Sequence, residues 1–575
     1  MRMDRRWAQA PAPRDQLVLV PQTLDEVIAE DHPIRVLERC LGQMDWSAWE
    51  ARHNSRRGQP PIHPRLLAGC ILYGLMRGIR SSRELEDATR HRLDFIWFVE
   101  GRTVDHSTFA AFRVAFSQEL KGLNREIGRL VCEQCASSLL EAVLDGTRLR
   151  ANSDRHGPRS AQTLQKLIGA CVAEMDRRLA RMAEADAEGP DAAAQTEEIE
   201  QLRREVARLE AKRDGLEKAL AAAQARDAVR QEHNGKNAPP VRVPVTDPDA
   251  QVTPNKEGGF APNYTPVVAV DPVSRAVVME DVLAGSDESA AVLPAVEAVE
   301  TLSGKPLERV LADGNFASGP NLEALESRGT QACMPTGTDF SEQNPANRPD
   351  PSQPVAPADW DRLPKHGEHL AATAFVYDAS QNCYWCPTGQ PLHPVRSGHD
   401  RNGVSYTNYA CPGSAGCPLA GRCVQAKASV RTVRRDQYQP LRETIGHRMA
   451  TPEGRRIYAR RAPIVEGVFA EIKHLMGIRR FLLRGLEKVR LEWTWICTAF
   501  NLKRLLARLV RTPNREPAPK GPTAKAHWPV ATQLYHLVFR RIRQNPRTHP
   551  ITPNASPWLD GHLSRLCATY TSCLP

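Results

Sequence analysis

Twice in this chain a short apolar run ends on Asp-Gly. Ala142-Val143-Leu144 leads into Asp145-Gly146, and Val310-Leu311-Ala312 leads into Asp313-Gly314. Runs this short, closed by a turn signal, suit buried strands better than helices. Between them lie two further strand-like stretches, 264–270 and 276–281, joined by Pro272-Val273-Ser274-Arg275 as a hairpin. An amphipathic helix is predicted over 289–302 and another over 321–328. Strand, strand, helix, strand, helix in that order predicts an α/β domain.

The rest of the chain has other textures. Residues 16–136 read as an all-helical region. PRLLAGCILYGLMRGI is apolar all round, as a buried helix is. Ser81 or Ser82 is the expected N-cap of the next helix, and Asp105 or Ser107 that of the helix through Phe116. Short helices joined by tight turns fit a helix-turn-helix DNA reader, and they equally fit a plain bundle. Residues 161–228 form a separate piece. Ile199, Leu202, Val206, Leu209, Arg213, Leu216 and Leu220 alternate by three and four, a heptad seam with one polar member. Glu188-Gly189-Pro190-Asp191 breaks it from an earlier apolar stripe, which predicts an inserted antiparallel hairpin. A dimerising coiled coil is the competing reading. Residues 338–370 are Pro-rich and expected to form a loop. Residues 451–510 are strongly helical, and 511–575 form a basic, Pro-rich tail.

Charge narrows the partners. The formal net charge is +10. Residues 431–510 carry 18 Lys+Arg against 7 Asp+Glu, which accounts for the whole excess. A local field of this kind suits a polyanion such as DNA, although a solvated basic surface has the same composition. No apolar run is long enough to span a bilayer, and the first residues lack an apolar signal core. The expectation is a cytoplasmic, nucleoid-associated protein with no membrane partner. Of the 14 cysteines, five fall between Cys383 and Cys423. Without an export signal, such a cluster points to metal before disulfides.

Three acids stand out by context: Asp145, Asp313 and Glu466, the last in the most basic part of the chain. Carboxylates are hard ligands for Mg²⁺ or Mn²⁺, and gathering them is costly without a cation. Singly, each has an ordinary explanation, a turn Asp or a helix-terminal Glu. Asp247 and Asp249 compete with them in a turn-like DPD setting, Glu471 competes with Glu466, and Asp271 reads as structural.

The ordered set LDGTRLRANS, TDPDA, VLADGNF and YARRAPIVEGVFAEIKHLMGIRRFLLRG resembles the DDE transposases of bacterial insertion sequences. GIRSSRELEDATRHRLDFIWF and DHSTFAAFR resemble the helical region that precedes their catalytic core. The resemblance covers roughly 16–510. It implies an N-terminal helical DNA-binding domain at 16–136 and an RNase H-like DDE catalytic domain at 137–510. The hairpin 161–228 and a cysteine-rich insert at 375–425 would interrupt that domain. It further implies that Asp145, Asp313 and Glu466 hold two Mg²⁺ or Mn²⁺ ions. Tyr458, Arg461 and Lys473 match the family's C-terminal signature, with Arg461 five residues before Glu466 where related groups have four. Arg479 and Arg480 join these three as expected DNA-binding residues. Lys473, seven residues after Glu466, is expected on the same helical face.

The implied activity is metal-dependent cleavage of element ends and strand transfer into target double-stranded DNA, by a homodimer when DNA is bound. A nuclease without strand transfer and a non-catalytic DNA-binding protein are the alternatives. Cys386, Cys411, Cys417 and Cys423, with 24, 5 and 5 residues between them, are an expected structural Zn²⁺ site. Similar cysteine inserts occur in some of these transposases. Cys383 is a possible substitute ligand, and free thiols or a redox pair are the other readings.

Overall fold

In this computed structural model the first apolar run is β1, Glu141–Gly146, with Ala142, Val143 and Leu144 fully enclosed. It lies in the middle of a seven-stranded sheet. The other members are β2 (Leu149–Arg150), β3 (Gln251–Pro254), β4 (Phe260–Val270), β5 (Val277–Leu283), β6 (Arg309–Leu311) and β7 (Gln331–Cys333). β4 is buried along nearly its whole length and pairs antiparallel with β1, β2, β3 and β5. β6 and β7 continue the sheet on the other side of β1, both parallel. The main path is therefore β5-β4-β1-β6-β7, with three antiparallel strands followed by two parallel ones. Parallel neighbours need crossover helices. Val292–Ser303 supplies one and packs on β5 and β1, while Gly319–Ser327 packs on β7. The fold is mixed α/β.

The structure describes residues 23–52, 60–187, 192–234, 238–255, 258–413, 415–425 and 428–511. Residues 16–22, the breaker 188–191 and the tail beyond 511 lie outside the described residues. The chain divides into two units, Met1–Leu506 and Ala507–Pro575. Of the second, residues 507–511 are described, the end of the helix Leu486–Arg511.

Within the first unit, seven described helices from Pro33 to Gln134 precede the sheet. Pro64–Met76 is enclosed from Leu66 to Leu75. Ser81 caps Ser82–His91 through a capping box with Glu84, and Asp105 caps His106–Ala115. Trp49 stacks with Phe112 and Phe116 and meets Trp495, so aromatic packing ties these helices to the last one. Ala161–Ala187 and Ala192–Asn234 pack antiparallel. Leu164 and Cys171 meet Leu216, Ala219 and Ala223, while Arg178 pairs with Glu205 at 2.8 Å and Arg181 with Glu198 at 3.2 Å.

A second, wholly antiparallel sheet runs in order through Val376–Asp378, Cys383–Trp385, Pro391–His399, Ser405–Ala410 and Thr432–Asp436. Its core also takes in Ala346, Val355, Leu363 and Leu370. The Pro-rich stretch before it is thus irregular yet packed, with Arg348 donating to the carbonyls of Ala346, Gln353, Pro351 and Cys386.

Candidate active site

Parallel pairing sets Val143 opposite Leu311. Two residues beyond each stand Asp145 and Asp313, so the register itself brings both acids to one edge of the sheet. Asp313 Oδ1 accepts the Asn315 N–H at 2.9 Å and caps the short turn Gly314–Phe316. Arg461, at the start of the helix Arg461–Ala470, lies across both acids. Its Nη2 donates to Asp145 Oδ1 at 2.9 Å and lies 3.6 Å from Asp313 Oδ2. The Arg461 and Asp145 side chains are only 14% and 16% exposed. Arg461 Nε is buried without a hydrogen-bond partner. A single guanidinium nitrogen therefore occupies the space between two hard oxygen donors, where a metal cation would also be attracted. Tyr458 adjoins the group. Burial raises its phenol above the ordinary range, with Arg461 opposing and Asp313 and Asp145 adding to the shift.

A further acid, Glu288, reaches the same place and was missed in the sequence. A Cβ built on Gly146 would meet Glu288 Oε1 at 2.4 Å, so this carboxylate packs directly on the backbone beside Asp145. Burial pushes its pKa up to about 7, helped by the charges of Asp313 and Asp145 and opposed by an Asn315 hydrogen bond and Arg148. In the sequence, Ser286-Asp287-Glu288-Ser289 looks like any polar helix start. Only the close approach to Gly146 marks it.

Glu466 is on the same helix as Arg461 but exposed, and among the described residues it makes no hydrogen bond or ion pair. The structure brings Asp145 and Asp313 together through Arg461, while among the described residues no hydrogen bond or ion pair ties Glu466 to them. Among the described residues, the group of three potential ligand atoms within 4.8 Å of one another is Glu86, Asp105 and His106. Those three serve the helices: Asp105 caps, and Glu86 accepts from His106 Nδ1 at 2.6 Å. Glu471, the rival of Glu466, is held by Lys503 at 3.0 Å and Arg504 at 3.1 Å.

Lys473 Nζ donates to Thr147 Oγ1 at 2.5 Å and approaches the Arg148 carbonyl at 3.4 Å, on the turn that follows Asp145. It sits in a π-turn, Glu471–Leu475. Arg479 and Arg480 are exposed. Arg479 meets His474 Nδ1 at 3.2 Å, and Arg480 lines a polar cavity of about 330 Å³ with Arg150 and Arg155.

Asp247 and Asp249 serve the last helix. Asp247 Oδ1 accepts from Tyr264 at 2.7 Å and the Gly485 N–H at 3.0 Å, and Asp249 Oδ2 accepts the Leu486 N–H at 2.9 Å. Asp271 closes the hairpin turn through Ser274 N–H at 2.6 Å.

In the second sheet, Cys386, Cys411, Cys417 and Cys423 line one cavity of about 560 Å³ with Trp360, Phe375 and Arg431. Cys383 is not in its lining. Burial pushes the Cys423 thiol up to about 11; Arg431 opposes this, and the other three cysteines add to it. Cys386 Sγ accepts the Gln390 N–H at 3.3 Å. No three of these sulfurs gather within 4.8 Å. A tetrahedral zinc site with Zn–S near 2.3 Å needs them about 3.8 Å apart, so the sulfurs must draw together to hold one.

Residues 385–506 match a family model described as "Transposase DDE domain", and residues 22–115 match one described as "Transposase domain (DUF772)". These two matches support a DDE transposase of insertion-sequence type. No curated protein and no solved structure matches the chain. The first matched segment holds Glu466, Tyr458, Arg461, Lys473 and the four cysteines, whereas Asp145 and Asp313 lie outside both segments. The DDE transposase family in general cleaves DNA and transfers strands, and it generally uses divalent metal ions. No described helix is long and apolar enough to cross a membrane.

Proposed function

We propose that the chain cuts DNA at the ends of its element in a divalent-metal-dependent reaction and joins the freed 3′ hydroxyl to target DNA. The observation that carries this reading is the sharing of one guanidinium by Asp145 and Asp313 at neighbouring strand ends. Two acids arranged around a cation of the protein's own are a donor set suited to Mg²⁺ or Mn²⁺. The strand path β5-β4-β1-β6-β7, with its antiparallel and parallel halves, supports an RNase H-like core. When bound, a pair of divalent ions activates the attacking oxygen and stabilises the leaving one.

Asp145 and Asp313 would hold the ions, with Glu466 completing the set after its side chain turns inward. Arg461 must then withdraw from the aspartates, and a DNA phosphate is the natural acceptor for its guanidinium. Tyr458 stands beside this exchange. Lys473, Arg479 and Arg480 extend the positive surface away from the acids and would grip the duplex through phosphates. Two element ends must be held together, which favours a homodimer on DNA. Cys386, Cys411, Cys417 and Cys423 would close a structural Zn²⁺ site, since an all-sulfur set suits zinc over magnesium.

The test is incubation of purified protein with end-labelled DNA from its own flanks and Mg²⁺. Wild type should release nicked ends and joined products. Asp145→Asn, Asp313→Asn and Glu466→Gln should each lower both by about 10²–10³-fold or more. Cleavage without joined products would leave a nuclease, and cleavage undiminished in Asp145→Asn would remove the acids from the reaction.

A further inference from the structure

We infer that the cavity between Arg150, Arg155 and Arg480 is a site for one backbone phosphate of the DNA, apart from the phosphate that is cut. The inference rests on the reading of DNA as substrate. It goes beyond that reading by adding Arg150 and Arg155 to the residues that hold the duplex and by giving the three arginines one shared ligand.

Charge and shape come first. The cavity holds about 330 Å³. Against its three arginines, Asp154 is the acid among the described lining residues, and Asp154 Oδ1 already accepts the His156 N–H at 3.1 Å. Among the described residues neither Arg155 nor Arg480 pairs with an acid. Arg155 is aimed by the backbone beside it. Its Nε donates to the Phe260 carbonyl at 3.2 Å, and its guanidinium lies over Gly259, leaving no room for a Cβ there. Planar guanidinium forks match the oxygens of a phosphate.

Position comes second. β1 and β2 lie end to end along β4, where Asp145 pairs with Val268 and Arg150 with Asn263. Those five residues of strand measure about 17 Å at about 3.4 Å per residue. A phosphate in the cavity is therefore not the one at the acids. Along a duplex that distance corresponds to about five nucleotides.

Rigidity comes third. The loop 477–485 carries Arg480 and has no helix of its own, yet Ile478 and Phe481 are fully enclosed. Phe481 N–H donates to the Arg150 carbonyl at 2.9 Å, which fixes two of the arginines relative to each other. Asn152 Nδ2 donates to the Leu482 carbonyl at 2.6 Å, and Glu492 accepts the N–H groups of Leu482 and Leu483 at 2.9 and 2.8 Å. Arg80, only 16% exposed, donates to the carbonyls of Gly477 and Arg480. A loop held this way offers its arginine to a ligand with little further ordering to lose.

The test is binding of the full-length protein, without divalent metal, to a fluorescent duplex from its own flank, read by anisotropy. A single neutral methylphosphonate linkage is moved along each strand, against wild type and Arg155→Gln/Arg480→Gln, with thermal unfolding recorded for both. In wild type, a neutral linkage at one position away from the cut should weaken binding by about tenfold. In the double variant that position should cost nothing further, while linkages elsewhere cost what they do in wild type. The slope of log affinity against log salt should become shallower by about one. If wild type binds the duplex and every linkage penalty survives in the double variant, the inference is overturned and the DNA reading stands. If wild type does not bind the duplex, both fall. Should the double variant unfold, Arg155→Lys/Arg480→Lys decides, since it keeps the charges and loses the forks. A severalfold smaller penalty at that one linkage then supports the site, and unchanged penalties overturn it.

Discussion

The chain gathers groups able to ligate a metal in two places, the carboxylates at the ends of β1 and β6 and the four thiols of the smaller sheet. At the strand ends a guanidinium already lies between the acids, 2.9 Å from Asp145 and 3.6 Å from Asp313. At the thiols Arg431 is turned over the Phe375 ring at 5.2 Å, and burial holds Cys423 in its protonated form. The aspartates are neutralised by a charge, and Cys423 by its own proton. On the proposed reading the two would be different kinds of metal site. The acid site would exchange one cation for another, and it is open to solvent at Asp313, whose side chain is 32% exposed. The thiol site would have to release protons to bind a metal, which would link its affinity to pH.

The largest effect should follow from breaking the thiol site. Structural zinc contributes about 10 kcal/mol or more of apparent binding energy in small zinc-held domains. If zinc holds this sheet, purified wild type carries one zinc per chain and Cys411→Ser carries none. Hydrogen exchange over 346–436 should then rise sharply in the variant or after chelation. Equal exchange with and without a chelator, in protein free of zinc, would show that the apolar core around Leu392 and Tyr409 suffices.

The next effect concerns the acids. Arg461→Gln removes the cation from a largely buried pair and leaves carboxylates facing one another. A loss of about 3 kcal/mol of unfolding free energy is expected by urea denaturation without metal. Added Mn²⁺ should restore most of it. A variant as stable as wild type, or one that Mn²⁺ leaves unrescued, would break the view of Arg461 as a resident cation.

What the sequence disclosed follows the same division. Asp145 and Asp313 were legible because an apolar run closed by Asp-Gly is a local signal, and strand pairing then needed no further information. The hairpin at Pro272–Arg275 and the caps at Ser81 and Asp105 were legible for the same reason. The approach of Glu288 to these acids was not, because it depends on contact with Gly146, which lies 142 residues away in the chain. The reach of the smaller sheet was also hidden. Ala346, Val355 and Leu363 are buried in it, but they lie scattered in a Pro-rich stretch with neither helical nor strand period.

Glu280, on β5, gives the smallest and cleanest measurement, because it is an enclosed acid away from both regions. Its carboxylate accepts from Asn124 Nδ2 at 2.7 Å and lies against Thr494. Lys121 is the facing cation, Asp281 is the neighbouring acid and is paired to Arg490 at 2.8 Å, and Cys497 lies close by on the last helix. No guanidinium bridges it, unlike Asp145. Burial accordingly pushes its pKa from the usual 4.5 up to about 7, against the pull of Thr494, Lys121 and Asn124. Between those values the folded chain keeps a proton that the unfolded chain has released. Stability should therefore fall as pH rises from about 4.5 to 7, by up to roughly 1.4 kcal/mol per pH unit from this group alone. Glu280→Gln, which keeps the shape and cannot ionise, should flatten that slope. Urea denaturation of both proteins at half-unit steps measures the difference. Parallel curves would mean that Lys121 already neutralises Glu280 as Arg461 does Asp145, and the contrast between cation-held and proton-held acids would then end at the thiols.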